Sequence, residues 1–89
     1  MTFGQWAEDW LKNGACAEST RANRRSIYER ELSRWAGRGM AEIEPSDVRR
    51  LTDEIRDRGA PSVAVAARNI IANVYTWAAD RGQEHPSPA

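Results

Sequence analysis

Apolar residues recur along this chain at the spacing of an α-helix, and this periodicity constrains the fold more than any other feature of the sequence. Near the start, the apolar residues are Phe3, Trp6, Ala7, Trp10 and Leu11. Their i, i+3, i+4, i+7 and i+8 spacing places them on one face of a helix. No segment alternates apolar and polar residues with a period of two, so the sequence predicts no β-sheet. We therefore expect an all-α fold.

Glycines and prolines divide the periodic pattern into four predicted helices. The first begins at Thr2, where Gln5 completes the pattern of a capping box. It ends at Asn13-Gly14, which supplies a residue that tolerates a positive φ. The second begins near Ser19 or Thr20, either of which can cap the free N–H groups of a helix start.

The other two predicted helices begin at prolines, which suit the first helical position because their missing N–H has no partner there. The third begins at Pro45 and stops at Gly59, and the fourth runs from Pro61 to about Arg81, before Gly82. Four such amphipathic helices are most simply arranged as a four-helix bundle. The predicted buried faces are Ile27, Tyr28, Leu32 and Trp35 in the second helix, Val48, Leu51, Thr52 and Ile55 in the third, and Val63, Ala67, Ile70, Ile71, Val74, Trp77 and Ala78 in the fourth.

Composition excludes several classes of function. The 89 residues suffice for one domain with one modest core. A single histidine, His85, and a single cysteine, Cys16, cannot build a structural zinc site, a disulfide or a Ser-His-Asp or Cys-His catalytic set. The chain has no glycine-rich phosphate loop, no apolar run of membrane-spanning length and no secretory signal. We expect a soluble cytoplasmic protein without metal, cofactor or catalytic residues.

The charges cancel overall, with 13 basic and 13 acidic residues, but residues 19–38 contain six arginines and two glutamates, a net charge of +4. A helix start offers free N–H groups to a phosphate, and arginine adds bidentate contacts to phosphate or guanine. Arg21 and Arg25 share a face, Asn23 could read a base edge, and Arg24 can project past the core. The alternative is a solvated basic face that makes only weak surface ion pairs.

The start of the fourth predicted helix is less basic. Its polar residues are Ser62, Arg68 and Asn69, with Asn73 one turn further on. Asparagine suits the recognition of adenine in a major groove, but the same residues could form an ordinary solvated stripe. Residues 63–67 are apolar, and they could contact thymine methyl groups or belong to the core.

Two short motifs, in order, carry a family resemblance. The first is Glu42-Ile43-x-Pro45-Ser46-Asp47-Val48, and the second is Trp77-Ala78-x-x-Arg81-Gly82, which precedes Pro88-Ala89. With the Phe-x-x-Trp-Ala-x-x-Trp-Leu helix before them, they make nearly the whole chain resemble the N-terminal core-binding domain of tyrosine recombinases of the phage integrase type, also called the SAM-like integrase domain.

The resemblance implies a four-helix bundle that forms half of a C-shaped clamp around duplex DNA. In that family the N-terminal parts of the second and fourth helices face the major groove of the recombination core site. Carried over by position, the DNA-binding residues would be Thr20, Arg21, Asn23, Arg24, Arg25, Ser62, Arg68 and Asn69.

The resemblance also implies that catalysis and DNA binding belong to separate domains. The family's nucleophilic tyrosine and its partners lie in a separate C-terminal domain, and no such motif occurs here, so we expect a non-catalytic fragment or stand-alone module. Residues 1–82 would form the core-binding domain and residues 83–89 a linker toward that catalytic domain. The full-length protein would be tetrameric on DNA at the nucleoid, and the isolated domain monomeric.

A helical protein–protein interaction or oligomerisation domain is the alternative of a different class. The net charge of zero favours it. The third predicted helix favours it too, because Arg49, Asp53, Arg56 and Asp57 alternate in sign in the manner of a solvated surface.

Overall fold

The structure is a computed structural model that describes all 89 residues. Four α-helices account for most of the chain: α1 (Phe3–Asn13), α2 (Glu18–Ile27), α3 (Pro45–Asp57) and α4 (Pro61–Asp80). A π-helical turn (Tyr28–Leu32) and a 3-10 turn (Ser33–Trp35) continue α2, and a further 3-10 turn (Met40–Glu42) precedes α3. The chain forms no β-strand, only an isolated bridge between Thr2 and Gly39. The all-α, four-helix prediction is confirmed.

The start of α1 is capped as predicted and docked against the turn that follows α2. The Thr2 hydroxyl accepts a hydrogen bond from the Gln5 N–H, and the Gln5 side chain accepts one from the Thr2 N–H. The Gly4 N–H donates to the Ala36 carbonyl at 3.0 Å. A Cβ on Gly4 would lie 2.7 Å from that oxygen, so glycine is required here for close approach.

Helix α1 ends at Asn13 as predicted, but neither Asn13 nor Gly14 has the positive φ that this pair tolerates. Gly14 has φ −66° and ψ 133°, which any residue can adopt. A Cβ there would lie 2.7 Å from the Trp10 carbonyl oxygen, so the position needs glycine for space and not for backbone freedom. The predicted behaviour is found instead at Gly59 (φ 87°) and Gly82 (φ 91°), which follow α3 and α4.

The predicted side-chain cap of α2 is also wrong. The helix begins at Glu18 with Ala17 as its N-cap, and no side chain caps it. Ser19 and Thr20 therefore lie inside the first turn. The Arg21 N–H donates to the Ala17 carbonyl, while the Arg21 side chain is held by the end of α1. We attribute the earlier start to this tertiary contact.

The π-helical turn changes which side chains of the second helical stretch face inward. The Ser33 N–H bonds to the Tyr28 carbonyl five residues earlier, which widens the helix by one residue. Tyr28, Glu31 and Leu32 are all buried as a result, and Glu31 lies 3% exposed beside the guanidinium of Arg58. The predicted stripe of apolar residues is confirmed, but the buried carboxylate within it was not expected.

The longest helix, α4, packs against each of the other three helices and most extensively against α3. Its predicted stripe is confirmed at Ala67, Ile70, Ile71, Val74 and Ala78. Val63 and Trp77 are only partly buried, and Ala64 and Tyr75 take inner positions instead. The buried face is broader than one stripe because α4 is covered from several sides.

Residues of the two motifs make side-chain contacts that hold helices in place. Asp47 accepts a hydrogen bond from the Glu44 N–H and pairs with Arg38 at 3.2 Å. The indole Nε1 of Trp77 donates to Asp9 at 2.9 Å, and the Arg81 guanidinium lies over the Trp77 ring. These contacts join α3 to the preceding turn and α4 to α1.

Residues 83–89 carry no regular secondary structure, but their end is not detached from the domain. Pro88 is buried and lines a cleft together with Val48 and Thr52 of α3. Ala89 packs against the core. No helix of this chain combines the length and the apolar character that crossing a membrane requires.

Candidate nucleic-acid interface

Arg21, the first arginine of the basic segment, caps the C-terminal end of α1. Its guanidinium donates hydrogen bonds to the carbonyls of Leu11, Lys12 (2.9 Å) and Gly14 (3.1 Å). Carbonyls at a helix end lack intrahelical donors and carry the negative end of the dipole. Arg21 therefore supplies both the missing donors and the complementary charge, and its side chain is only 25% exposed.

The other two arginines of α2, Arg24 and Arg25, are also in contact with α1. Arg25 forms a bidentate pair with the Glu8 carboxylate at 3.2 Å and a longer ion pair with Glu29 at 3.7 Å. The Arg24 guanidinium lies over the Trp10 ring, 4.6 Å from its centroid, in a cation–π arrangement. All three arginines thus fasten α2 to α1, and their contact with DNA stays a prediction.

Thr20 and Asn23 differ from these arginines because both are exposed and neither side chain makes an internal hydrogen bond. On α4 the predicted residues Ser62, Arg68 and Asn69 are likewise exposed and unpaired. Ser62 and Asn69 share a face with Val65, which is 54% exposed. The apolar 63–67 segment is therefore divided between the core, at Ala64 and Ala67, and the surface, at Val65.

The eight predicted site residues fall into two groups that make no hydrogen bond or ion pair with each other. The arginines of α2 lie against α1, whereas Arg68 of α4 lines a cleft formed with α3. This cleft, of about 290 Å³, brings Arg68 next to Arg49 and Arg56. We call it the α3–α4 cleft.

Sequence reasoning overlooked the arginines of α3. The alternating signs of α3 indicate only a solvated surface, and in the structure only Arg56 has a carboxylate partner in the helix, Asp53 at 3.6 Å. Arg49 and Arg50 are exposed and form no ion pair. Five cationic side chains of the chain are in neither an ion pair nor an aromatic stack: Lys12, Arg30, Arg49, Arg50 and Arg68. Three of these five line clefts at α3.

The titratable groups with shifted pKa values stabilise the fold around these surfaces. The Glu44 N–H and, more weakly, the Arg38 guanidinium hold the pKa of Asp47 below its usual value. Burial, reinforced by the Glu8 carboxylate, raises the pKa of Tyr28. Burial also raises the pKa of Tyr75 to about 12, and its hydroxyl donates to the Met40 carbonyl. No group of three or more His, Cys, Asp or Glu side chains is placed to hold a metal ion.

The fold and the surface together define a class: an all-helical domain in which α2 and α4 expose polar side chains without internal partners, and α4 also exposes the unpaired Arg68. The model of one protein family, the phage integrase central domain, matches residues 3–89. The chain therefore belongs to the phage integrase central domain family, and its function is of the integrase type. Neither a curated protein nor a solved structure matches the chain.

Proposed function

We propose that this domain binds duplex DNA and positions a recombination core site for a catalytic domain elsewhere in the full-length protein. The observation that carries the proposal is the match of the phage integrase central domain family over residues 3–89. The exposed polar residues at the starts of α2 and α4 support it. Recombination enzymes must hold duplex DNA in register before cutting it, and phosphate contacts set that register.

On the proposed interface, the unpaired amides read the DNA and the arginines orient the helix that presents them. Asn23 and Asn69 are exposed, so each can offer both a donor and an acceptor to a base edge. Thr20 and Ser62 add hydroxyls for the backbone. Arg21, Arg24 and Arg25 hold α2 in place, and the part of each guanidinium left exposed contacts phosphate.

On this proposal the domain itself catalyses no step of recombination. The nucleophile that attacks the scissile phosphate belongs to the catalytic domain, and residues 83–89 form the connection toward it. The isolated domain is monomeric, and the assembly on DNA, a tetramer, depends on the full-length protein.

A binding titration with a short duplex at two salt concentrations tests the proposal. Binding through several phosphates should weaken steeply between about 50 and 200 mM salt. An Asn23→Ala, Asn69→Ala double variant should bind more weakly with an unchanged melting temperature, because neither side chain has an internal partner. Thr76→Ala, an exposed change further along α4, is the matched control and should bind as the unchanged protein does.

Absence of binding at low salt would reject the proposal. If the same samples showed a mass that rises with protein concentration, the alternative of a helical oligomerisation or protein–protein interaction domain would replace it. Sedimentation equilibrium on the DNA-free protein makes this distinction.

A further inference from the structure

We propose that the α3–α4 cleft is a second anion site, which takes a backbone phosphate of duplex DNA between Arg49, Arg56 and Arg68. This inference rests on the proposed function, and it adds α3 to the two helices that the family resemblance implies. Arg49 and Arg56 lie on the same face of α3, about two turns apart, and Arg68 lines the cleft from α4.

The charges in the cleft do not cancel. Arg49 and Arg68 have no carboxylate partner, and Asp53 is the only acidic residue among those lining the cleft. Asp53 pairs with Arg56 at 3.6 Å, and both side chains are about half exposed, so the pair is weak. The side chains that line the cleft, three cations and one anion, have a net charge of +2, in a chain whose total net charge is zero. A bound anion would relieve the repulsion among the guanidiniums.

The chemistry of the cleft favours a phosphodiester. Guanidinium groups present paired N–H donors that match two non-bridging phosphate oxygens. The cleft is about 290 Å³, which suits a phosphate group with part of its sugar and does not suit a folded partner. Its remaining lining is Pro45, Val48, Thr52, Pro88 and Ala89, so it offers few competing polar side chains.

The cleft is continuous with the proposed DNA surface through Arg68. This residue lines the cleft, and its neighbour Asn69 is exposed and proposed to face the bases. A duplex that reaches Asn69 therefore brings its sugar–phosphate backbone past Arg68. A second cleft, lined by Pro45, Ser46, Arg49, Arg50 and Asp53, adjoins the first through Arg49 and extends the basic surface along the start of α3.

The test compares two charge-matched double variants of the full chain. Arg49→Gln, Arg68→Gln removes two cations of the cleft, and Lys12→Gln, Arg30→Gln removes two free cations outside it. The affinity for a short random-sequence duplex is measured over about 50–200 mM salt. Each phosphate contact contributes about 0.9 to the slope of log K against log salt. We expect the cleft variant to lose about 0.9 from that slope, the contribution of the one phosphate, and the control pair to lose less than half as much.

Several outcomes would overturn the inference. If the unchanged protein binds DNA but the cleft variant keeps its salt slope, the cleft is not a phosphate site, although the proposed function stands. Equal losses in both variants would mean that overall charge, and not the cleft, determines binding. If the unchanged protein does not bind DNA, both the proposed function and this inference fail.

Two additional measurements test whether the cleft binds an acidic protein segment instead of DNA and whether the variants remain folded. Polyglutamate of matched charge is titrated in parallel, and if it binds as tightly and loses affinity equally in the cleft variant, an acidic protein segment replaces DNA as the ligand. Melting temperatures of both variants should match that of the unchanged protein, since Arg49 and Arg68 make no internal ion pair. Should the double variant fail to fold, Arg68→Gln alone must lower the slope by more than the loss of Arg30 alone does, up to about 0.9.

Discussion

Helix α2 and the α3–α4 cleft each contain three arginines, but these arginines have different partners in the folded chain. In α2 all three are engaged by α1, through carbonyls, a carboxylate and an indole ring. In the cleft, two of the three have no internal partner, and the third has a weak one. The number of arginines in a segment measures its positive charge, and the availability of that charge depends on which acceptors the fold brings within reach.

The largest effect should come from Arg21. Arg21→Ala leaves the carbonyls at the end of α1 without donors, and hydrogen bonds from charged groups contribute about 1.5–3 kcal/mol. We expect a loss of about 2–3 kcal/mol in the free energy of unfolding, which for a domain of this size lowers the melting temperature by at least about 8 °C. Thermal unfolding followed by circular dichroism measures it. An unchanged melting temperature would contradict the difference between α2 and the cleft, because Arg21 would then contribute no more to stability than the cleft arginines do.

Asp47 should give a smaller effect that depends on pH. It joins the start of α3 to Arg38, another arginine with an internal partner. Asp47→Ala removes the acceptor for the Glu44 N–H and should cost about 1 kcal/mol at neutral pH. The folded state lowers the pKa of Asp47, so its stabilisation is present above the unfolded-state pKa of about 4 and is lost as the pH falls through the folded-state pKa.

Denaturant unfolding at several pH values checks this behaviour. The difference in unfolding free energy between the two proteins should be constant between about pH 6 and 8 and shrink below about pH 4. Asp57→Ala is a suitable control, because Asp57 is an exposed acidic residue of the same helix that forms no ion pair. A difference that grows as the pH falls would contradict the prediction.

The Arg25–Glu8 pair should contribute less than Asp47. Both side chains are more than a third exposed, and exposed ion pairs typically contribute about 0.2–1 kcal/mol. A double-mutant cycle with Arg25→Gln and Glu8→Gln should give a coupling free energy of about 0.5 kcal/mol, because the pair is bidentate. High salt should reduce this coupling. A coupling of zero at low salt would leave Arg25 free for DNA, as the sequence alone suggests.

The smallest effect on stability should come from the cleft. Arg49→Ala and Arg68→Ala should each change the unfolding free energy by less than about 0.5 kcal/mol, as for other surface positions without partners. Chemical denaturation of the two single variants measures it. A loss comparable to that of Arg21→Ala would show that these arginines serve the fold, and the contrast between the two regions would disappear.

The helices and their caps could be predicted because they depend on neighbours in sequence. The capping box at Thr2 and Gln5 and the start of α3 at Pro45 are confirmed for that reason. The error at the start of α2 arises where another segment intervenes, whereas the error at Gly14 arises within α1 itself, from a residue four positions earlier. Gly14 is required by the Trp10 carbonyl, and the first turn of α2 is held by the end of α1 through Arg21.

The candidate site could be predicted only in outline. Thr20, Asn23, Ser62, Arg68 and Asn69 are exposed and free, as an interface requires. The roles of the other predicted residues could not be separated from structural ones, and the arginines of α3 gave no signal because acidic residues alternate with them.

The sequence by itself determined that this protein is helical, where its helices lie and which family it belongs to. Helical periodicity and capping depend on residues only a few positions apart, so the local sequence predicts them. Only the tertiary structure decided which of its arginines are free. Arg25 meets Glu8 across 17 residues, and Arg68 meets α3 only after α4 has packed. Such contacts depend on how the helices pack against each other, and the local sequence does not determine that packing.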